Sequence, residues 1–379
     1  MLEVHLDAYI LPRDHQVFKC FPGKAYRFYD LVHDENAVFL DVDGLETLGL
    51  DARTWSDQQV LDAVRSDRQR REAFRVAQGR AVPVRTGYSA TGYSRTDRRD
   101  RTLSIGLYKT AKKGDLVVVP AEGYHRDVLV GELLEGPESL TVVEATGSDG
   151  YKYRFVARKV NWLAKIPKHE LTGRLINRLH TQTAFFDIGR NSYEEIYDLA
   201  YKSYAFEDNF VASFFTTKQH FTSRDNLLAS VWFEAMSAVR SHVDAGNGQP
   251  LNPLQAASFA DLAFGIAQNA DRGELSININ SPGEFILRSK KEFALAVMAV
   301  FALAQASAPY QQAIAAPIVA HVVGTADASC LGRVRDDVRA YIESMEDPTW
   351  IDACKTATDA GKTATLKTKA RVVPAKKAN

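Results

Sequence analysis

Cysteine is scarce in this chain: Cys20, Cys330 and Cys354 are the only three in 379 residues, far apart and odd in number. No Cys-x-x-Cys pair exists, so the usual ligand spacing of a structural zinc site is missing. Few, scattered thiols suit a reducing cytoplasm better than a disulfide framework, and the protein is expected to be cytoplasmic. Long apolar runs are also lacking. The longest, Phe293 to Ala304, falls short of the roughly 20 apolar residues that cross a bilayer, so no membrane partner is expected. The opening MLEVHLDAYILPRDH has no basic region ahead of an apolar stretch, unlike a secretory signal. Catalytic signatures are missing as well. There is no Gly-x-x-x-x-Gly-Lys-Ser/Thr loop, no His-Glu-x-x-His and no Gly-x-Ser-x-Gly elbow, and the nine histidines are dispersed. Neither a cofactor nor a metal is implied.

Net charge is zero, so global electrostatics selects no polyanionic partner. The distribution says more. Residues 1–62 carry 5 Lys/Arg against 12 Asp/Glu, residues 65–113 carry 14 against 4, and residues 355–379 carry 7 against 1. An acidic start, a basic middle and a basic end give an electrostatic footprint of the kind nucleic-acid-binding proteins show.

Local patterns divide the chain. Ala8–Leu11 and Ala37–Leu40 read as strands and Tyr26–His33 as a short helix. Ser56 with Gln59 forms a capping box opening a helix that runs to about Arg75. Gly79 to Arg101 repeats Thr-Gly-Tyr-Ser and fits neither helix nor strand period, so a loop is expected there. After Asn191 the pattern turns helical. Ser192 and Glu195 fit a second capping box, and Tyr193–Phe206, Asp208–Phe215 and Arg224–Val243 follow. A hairpin is expected over Glu274–Leu287 around Ser281-Pro282-Gly283. Lys290–Ser307 is apolar all round, hence a buried helix, and Arg333–Glu346 is amphipathic. Beyond Asp359 the Lys/Thr/Ala composition predicts disorder.

The most distinctive stretch is a compact β unit. Gly114-Asp115 opens the apolar strand Leu116–Val119, Gly131 interrupts Val128–Glu132, and Phe155–Trp162 ends in basic residues and a tryptophan. A short helix, His169–Leu179, and a strand, Ala184–Ile188, follow. This arrangement resembles the PUA/EVE-like N-terminal module of Mrr-like restriction-endonuclease proteins over residues 5–190, with the signature concentrated between 113 and 188. The local patterns make an α+β chain, with a mainly α-helical assembly or effector domain containing one β-hairpin (191–352) and a disordered basic tail (353–379). The resemblance covers the first part alone and implies an N-terminal PUA/EVE-like mixed β-barrel domain (1–190, with a basic loop at 79–113). It also implies nucleic-acid recognition in prokaryotic antiviral defence or restriction. Mrr-like relatives often add a nuclease domain, which needs an acidic residue and then a Glu or Gln two residues before a Lys on a buried strand. Glu274 and Glu284 are the acids on offer here, and neither has Lys at that spacing.

Two clusters could contact nucleic acid. In the first, Arg85, Arg95, Arg98, Arg99, Arg101, Lys112 and Lys113 would neutralise phosphates, with Tyr88 and Tyr93 stacking on unpaired bases. The bland alternative is a solvated loop, or one paired with the acidic first 62 residues, and Asp97 and Asp100 already offset part of its charge. In the second, strand alternation puts Arg154, Arg158 and Trp162 on one face with Lys159 opposite. The family resemblance suggests a pocket for a flipped or modified base near Trp162, whereas the residue pattern favours an indole that fills the core. Gly114 and Gly131 read as turn and close-packing residues. Tyr193, Tyr197, Tyr201 and Tyr204 form a helical stripe, either a stacking platform or an aromatic packing seam. The expected function is a non-catalytic nucleic-acid-binding subunit, with DNA the expected form, joined to other subunits or to itself through the helical half. A divergent metal-dependent nuclease effector and a structural assembly subunit without nucleic-acid contact are the alternatives.

Overall fold

The computed structural model describes residues 2–80, 93–123, 126–147, 150–246, 258–265, 274–278 and 283–375. The chain opens with β1 (Leu2–Ile10). It continues through β2 (Val17–Cys20), α1 (Tyr29–Asp34), β3 (Ala37–Asp43), α2 (Asp57–Ala77), α3 (Arg95–Ile105), β4 (Leu116–Val119), β5 (Val128–Leu133), β6 (Thr141–Thr146), β7 (Lys152–Ile166), α4 (Gly173–Leu179), β8 (Phe185–Asp187) and α5 (Tyr193–Ala200). The remainder comprises β9 (Tyr204–Phe206), β10 (Asn209–Thr216), α6 (Ser223–Asp244), α7 (Phe259–Gly265), β11 (Glu274–Asn278), β12 (Gly283–Ser289), α8 (Phe293–Gln305), α9 (Tyr310–Ile314), β13 (Ile318–Val322), α10 (Ser329–Thr363), β14 (Leu366–Thr368) and β15 (Ala370–Pro374). These elements form two compact units, Asp14–Ala200 and Met1–Arg13 with Tyr201–Asn379. The expected boundary at 190 is therefore replaced by one at 200, and β1 belongs with the second half of the chain.

The Asp14–Ala200 unit holds a mixed sheet in the order β3-β7-β5-β4-β2-β8, with β6 also on β7. β4 lies parallel to β2 and antiparallel to β5. All four of its residues are buried, which is why a continuous Leu-Val-Val-Val run suits this central position. The long β7 carries β3 along one side and β6 then β5 along the other. Among the described residues β3 and β8 do not pair, so the sheet is open where a closed barrel was expected. Gly114 has φ +90° and starts the turn into β4. At Gly131 an added Cβ would overlap Val160 and Trp162, so both glycines act as turn and close-packing residues. The Ser56–Gln59 capping box is present, with Ser56 N donating to Gln59 Oε1 at 2.8 Å. The Ser192–Glu195 box is replaced by a different contact. Glu195 accepts from the Thr172 backbone N–H at 3.0 Å and from its hydroxyl at 2.8 Å, at the start of α4.

The second unit is built on an eight-stranded sheet in the order β11-β12-β10-β9-β1-β13. The opening between β10 and β1 is filled by β9 at one end and by β14 and β15 at the other. The mainly helical domain with one hairpin is thus corrected. The hairpin exists as β11 and β12, but Tyr204–Phe206 and Asn209–Thr216 are strands, and β13 to β15 add three more. The disordered tail is corrected too, because residues 353–374 complete α10 and supply two strands in the middle of the sheet. The expected buried helix is α8, in which every residue from Phe293 to Ala304 is buried against α10 and the strands β1, β10 and β12. The tyrosine stripe is divided. Tyr193 and Tyr197 meet edge-on within α5, while Tyr201 stacks on Tyr9 at 4.4 Å in the other unit.

Leu366 is fully buried in β14. Leu366→Ala is expected to cost about 2–5 kcal/mol, the usual range for a buried leucine, in chemical denaturation of the second unit. A free tail would leave the midpoint unmoved.

Candidate nucleic-acid interface

The basic segment is built around a helix where a loop was expected. Ser94 caps α3 reciprocally with Asp97: Asp97 N donates to Ser94 Oγ at 3.1 Å and Ser94 N donates to Asp97 Oδ2 at 2.7 Å. Arg68 of α2 then takes up the acidic side of α3, pairing with Asp97 and, at 3.2 Å, with Asp100. With its carboxylates turned to α2, the helix presents Arg95, Arg98, Arg99 and Thr102 to solvent. These positions, i, i+3, i+4 and i+7, share one face. Arg99 also pairs with Asp100 at 3.0 Å. Arg95 and Arg98 make no ion pair among the described residues.

Much of the remaining basic charge meets the acidic first 62 residues. Arg101 pairs with Asp57 at 3.4 Å and Lys112 with Asp14. Arg71 bridges Asp41 at 2.8 Å and Asp67 at 2.7 Å. Tyr93 donates its hydroxyl to Asp62 at 2.5 Å, with Arg65 over its ring at 5.5 Å, so it is fastened to α2. Lys113 is exposed. Arg85 and Tyr88 lie outside the described residues.

The second cluster does not converge. Arg154 is exposed and forms a cross-strand pair with Glu144 at 3.2 Å. Trp162 is half-buried against Gly131 and Val160, and its indole N–H has no hydrogen-bond partner among the described residues. Arg158 is 1% exposed, so it is removed from the contact surface. Its guanidinium donates to the carbonyls of Leu107 at 3.1 Å, Ala111 at 2.5 Å and Glu135. Burial lowers its pKa to about 10, with Asp115 opposing that shift, and it stays charged at neutral pH. Leu107 lies in the π turn (Gly106–Thr110) that ends α3, and Ala111 directly follows it. Arg158 therefore holds the C-terminal end of the helix whose outer face carries the arginine stripe.

A cleft of about 280 Å³ lies beside Arg99, bounded by Leu40, Asp41 and Leu103 and by residues 182–184. Asp41 already accepts from Arg27 at 2.6 and 2.7 Å and from Arg71 at 2.8 Å, and Asp100 is shared by Arg68 and Arg99. Besides these paired groups the lining offers the side chains of Gln182 and Thr183. Lys19, buried, donates to the carbonyls of Thr181 and, at 3.3 Å, Thr183 and so ties down this wall. Burial lowers the Lys19 pKa to about 8. The acids weighed for a nuclease are on β11 and β12. Glu284 accepts from the Ser213 hydroxyl at 2.8 Å and pairs with Lys202 at 3.5 Å. Among the described residues no group of three or more His, Cys, Asp or Glu converges as a metal site would.

Comparison with protein-family models, characterised proteins and solved structures finds no match to this chain.

The Ser94–Asp97 box, where a loop was expected, has Ser-x-x-Asp as its local signal. No local signal marks Lys19 or the inward turn of Arg158. A further buried device is His15, 2% exposed. Its Nε2–H donates to the Gly114 carbonyl at 2.9 Å, so the neutral ring accepts at Nδ1 from the Tyr197 hydroxyl at 2.8 Å. Burial pushes its pKa down to about 4.

Arg158→Gln is expected to destabilise the Asp14–Ala200 unit by about 3–5 kcal/mol, because buried carbonyls lose charged donors. Arg95→Gln and Arg98→Gln should stay within about 0.5 kcal/mol of wild type, and urea titrations separate the two cases. For His15, the unfolded ring binds a proton near pH 6.5 and the folded ring only near 4. Stability is therefore complete above 6.5 and is lost as pH falls through that window, by about 3 kcal/mol in all. His15→Gln should remove this slope, so the gap in melting temperature between wild type and variant narrows from pH 7 to pH 4.5. A gap independent of pH would contradict the assignment.

Proposed function

We propose that this protein recognises nucleic acid, DNA being the expected form, as a non-catalytic subunit of a prokaryotic antiviral defence or restriction system. The contact is made by the outer face of α3. One observation carries this reading: Arg68 neutralises the carboxylates of α3 from within, which leaves Arg95, Arg98 and Arg99 as a cationic stripe facing solvent. An alternating Arg/Asp sequence that would average to a weak charge is thereby sorted into an acidic inner side and a basic outer side. Arginines spaced along one helix face suit phosphate contacts that position a strand without reading its bases. Lys113, exposed beyond the end of the helix, extends the basic surface, whereas Lys112 is paired with Asp14. The resemblance to the PUA/EVE-like module of Mrr-like proteins supports the same reading. Its signature, residues 113–188, falls wholly within the unit that bears α3. The cleft beside Arg99 is then the place where an extruded base would be held, between Leu40 and Leu103 and within reach of Gln182.

Binding to a short duplex and to a single strand, titrated against salt, tests the proposal. Each phosphate contact adds roughly −0.9 to the slope of log K against log salt on duplex DNA. The triple variant Arg95→Gln/Arg98→Gln/Arg99→Gln should flatten the slope by about 2 to 3, while Arg126→Gln, an exposed arginine paired with Asp30, should leave it unchanged. Binding that ignores salt, or a triple variant with the wild-type slope, would overturn the proposal.

A further inference from the structure

The second unit contains a groove that the nucleic-acid reading does not use. α10 is broken at Glu346, whose backbone is in a non-helical conformation (φ 53°, ψ 171°), two residues before Pro348. A proline inside a helix removes one backbone hydrogen bond and clashes with the preceding turn, so residues 347–363 leave the line of the first half. Near the break they are held where the Trp350 indole N–H donates to the Ala308 carbonyl at 2.9 Å, and further along where Asp352 accepts from the Phe259 backbone N–H at 2.6 Å. Alongside the Trp350 contact a groove of about 760 Å³ opens between the second half of α10 and the connection from α8 to α9. This size falls within the range of small-molecule sites.

The lining is graded along the helix. Trp350, Ala308 and Cys354 make an apolar floor and Tyr310 a wall. Ile351, 51% exposed, continues the apolar lining at the lip. Asp347 lies at one end. Lys355 and Lys362 lie towards the other, with Asp359 as the single acid near them. At 1.5 Å per residue the two lysines are about 10 Å apart and Asp347 is roughly 20 Å from Lys362. Neither lysine makes an ion pair among the described residues. The end of the helix does not need them, because Lys218 donates to the Thr363 carbonyl at 2.9 Å. The Cys354 thiol, pushed up to about 11 by burial, is an inert part of the floor.

We infer that this groove binds an elongated amphipathic anion, an acyl-type apolar body with one negatively charged head. The body lies over Trp350 and Cys354 beside Ile351, and the head meets Lys355 and Lys362. The inference is independent of the nucleic-acid reading.

The full-length protein is titrated with the fluorescent sulfonate 1-anilinonaphthalene-8-sulfonate, with decanoate as competitor and with N-phenyl-1-naphthylamine as an uncharged probe of the same ring system. One saturable sulfonate site displaced by decanoate is expected. Lys355→Glu/Lys362→Glu should weaken the sulfonate and decanoate at least tenfold and the uncharged probe less than twofold. Thr358→Trp, which fills the groove from its rim, should abolish all three. Circular dichroism and thermal melting establish that each variant is folded. Absence of a saturable site, binding that survives Thr358→Trp, or equal loss of charged and uncharged probes in the double-lysine variant would each overturn the inference.

Discussion

Arg158 is a charge buried among backbone carbonyls, and the arrangement of α3 follows from it. Taking a guanidinium out of water costs several kcal/mol unless its donors are met by well-placed acceptors. Here the acceptors include the carbonyls of Leu107 and Ala111, at the end of a helix, where carbonyls lack intrahelical partners and the dipole is negative. The desolvation of Arg158 and the orphan acceptors of the helix end thus offset each other. At the opposite end the Ser94–Asp97 box satisfies the first N–H groups, and Arg68 holds the acidic side. A helix fixed at both ends and along one side has a single orientation, which is what puts Arg95, Arg98 and Arg99 in solvent.

The same device recurs through the Asp14–Ala200 unit. Lys19 binds the carbonyls of Thr181 and Thr183, Lys168 binds those of Ala121 and Gly123, and Arg178 binds that of Ile188. Aromatic rings line these cations, with Phe21 and Phe186 about Lys19 and Tyr26 beside Lys168. A cation used in this way stiffens a loop and contributes little field at the surface. The excess of positive charge in residues 65–113 therefore overstates the basic surface. Arg70, Arg71, Arg101 and Lys112 are answered by Asp43, Asp41, Asp57 and Asp14, acids from the opening of the chain. The acidic start and basic middle are two halves of one internal pairing, and the chemistry available to a partner is the part left over.

Features set by near neighbours were legible in the sequence. The run Leu116–Val119, the Ser56–Gln59 box, the β11–β12 hairpin and the apolar α8 each depend on residues a few positions apart. Tyr204–Phe206 and Asn209–Thr216 carry short apolar, aromatic-rich runs that periodicity alone does not separate from helix, and their strand state comes from pairing with β1 and β12. The C-terminal strands are short and sit in a Lys/Thr/Ala-rich stretch, and their order comes from partners distant in sequence, as in Glu3 opposite Val373. Arg158 and Trp162 look alike in an alternating strand. Only the distant carbonyls of residues 107, 111 and 135 decide that the arginine is the more buried of the two.

Chain order has a consequence for how the two units form. Every strand of the Asp14–Ala200 sheet comes from one continuous segment. The other sheet cannot be completed until β14 and β15 exist, because they fill the opening between β10 and β1. Closing a strand pair between residues 2–6 and 370–374 carries the loop-closure entropy of nearly the whole chain, and pairings of that separation are slow. During synthesis the unit bearing α3 has all its partners once residue 200 has emerged, whereas β1 waits for the last strands. Until then β1 and β10 present unpaired edges, the feature that invites non-native association. The second unit is thus the one whose sheet depends on strands far apart in sequence, while the sheet of the unit bearing α3 is drawn entirely from residues 14–200.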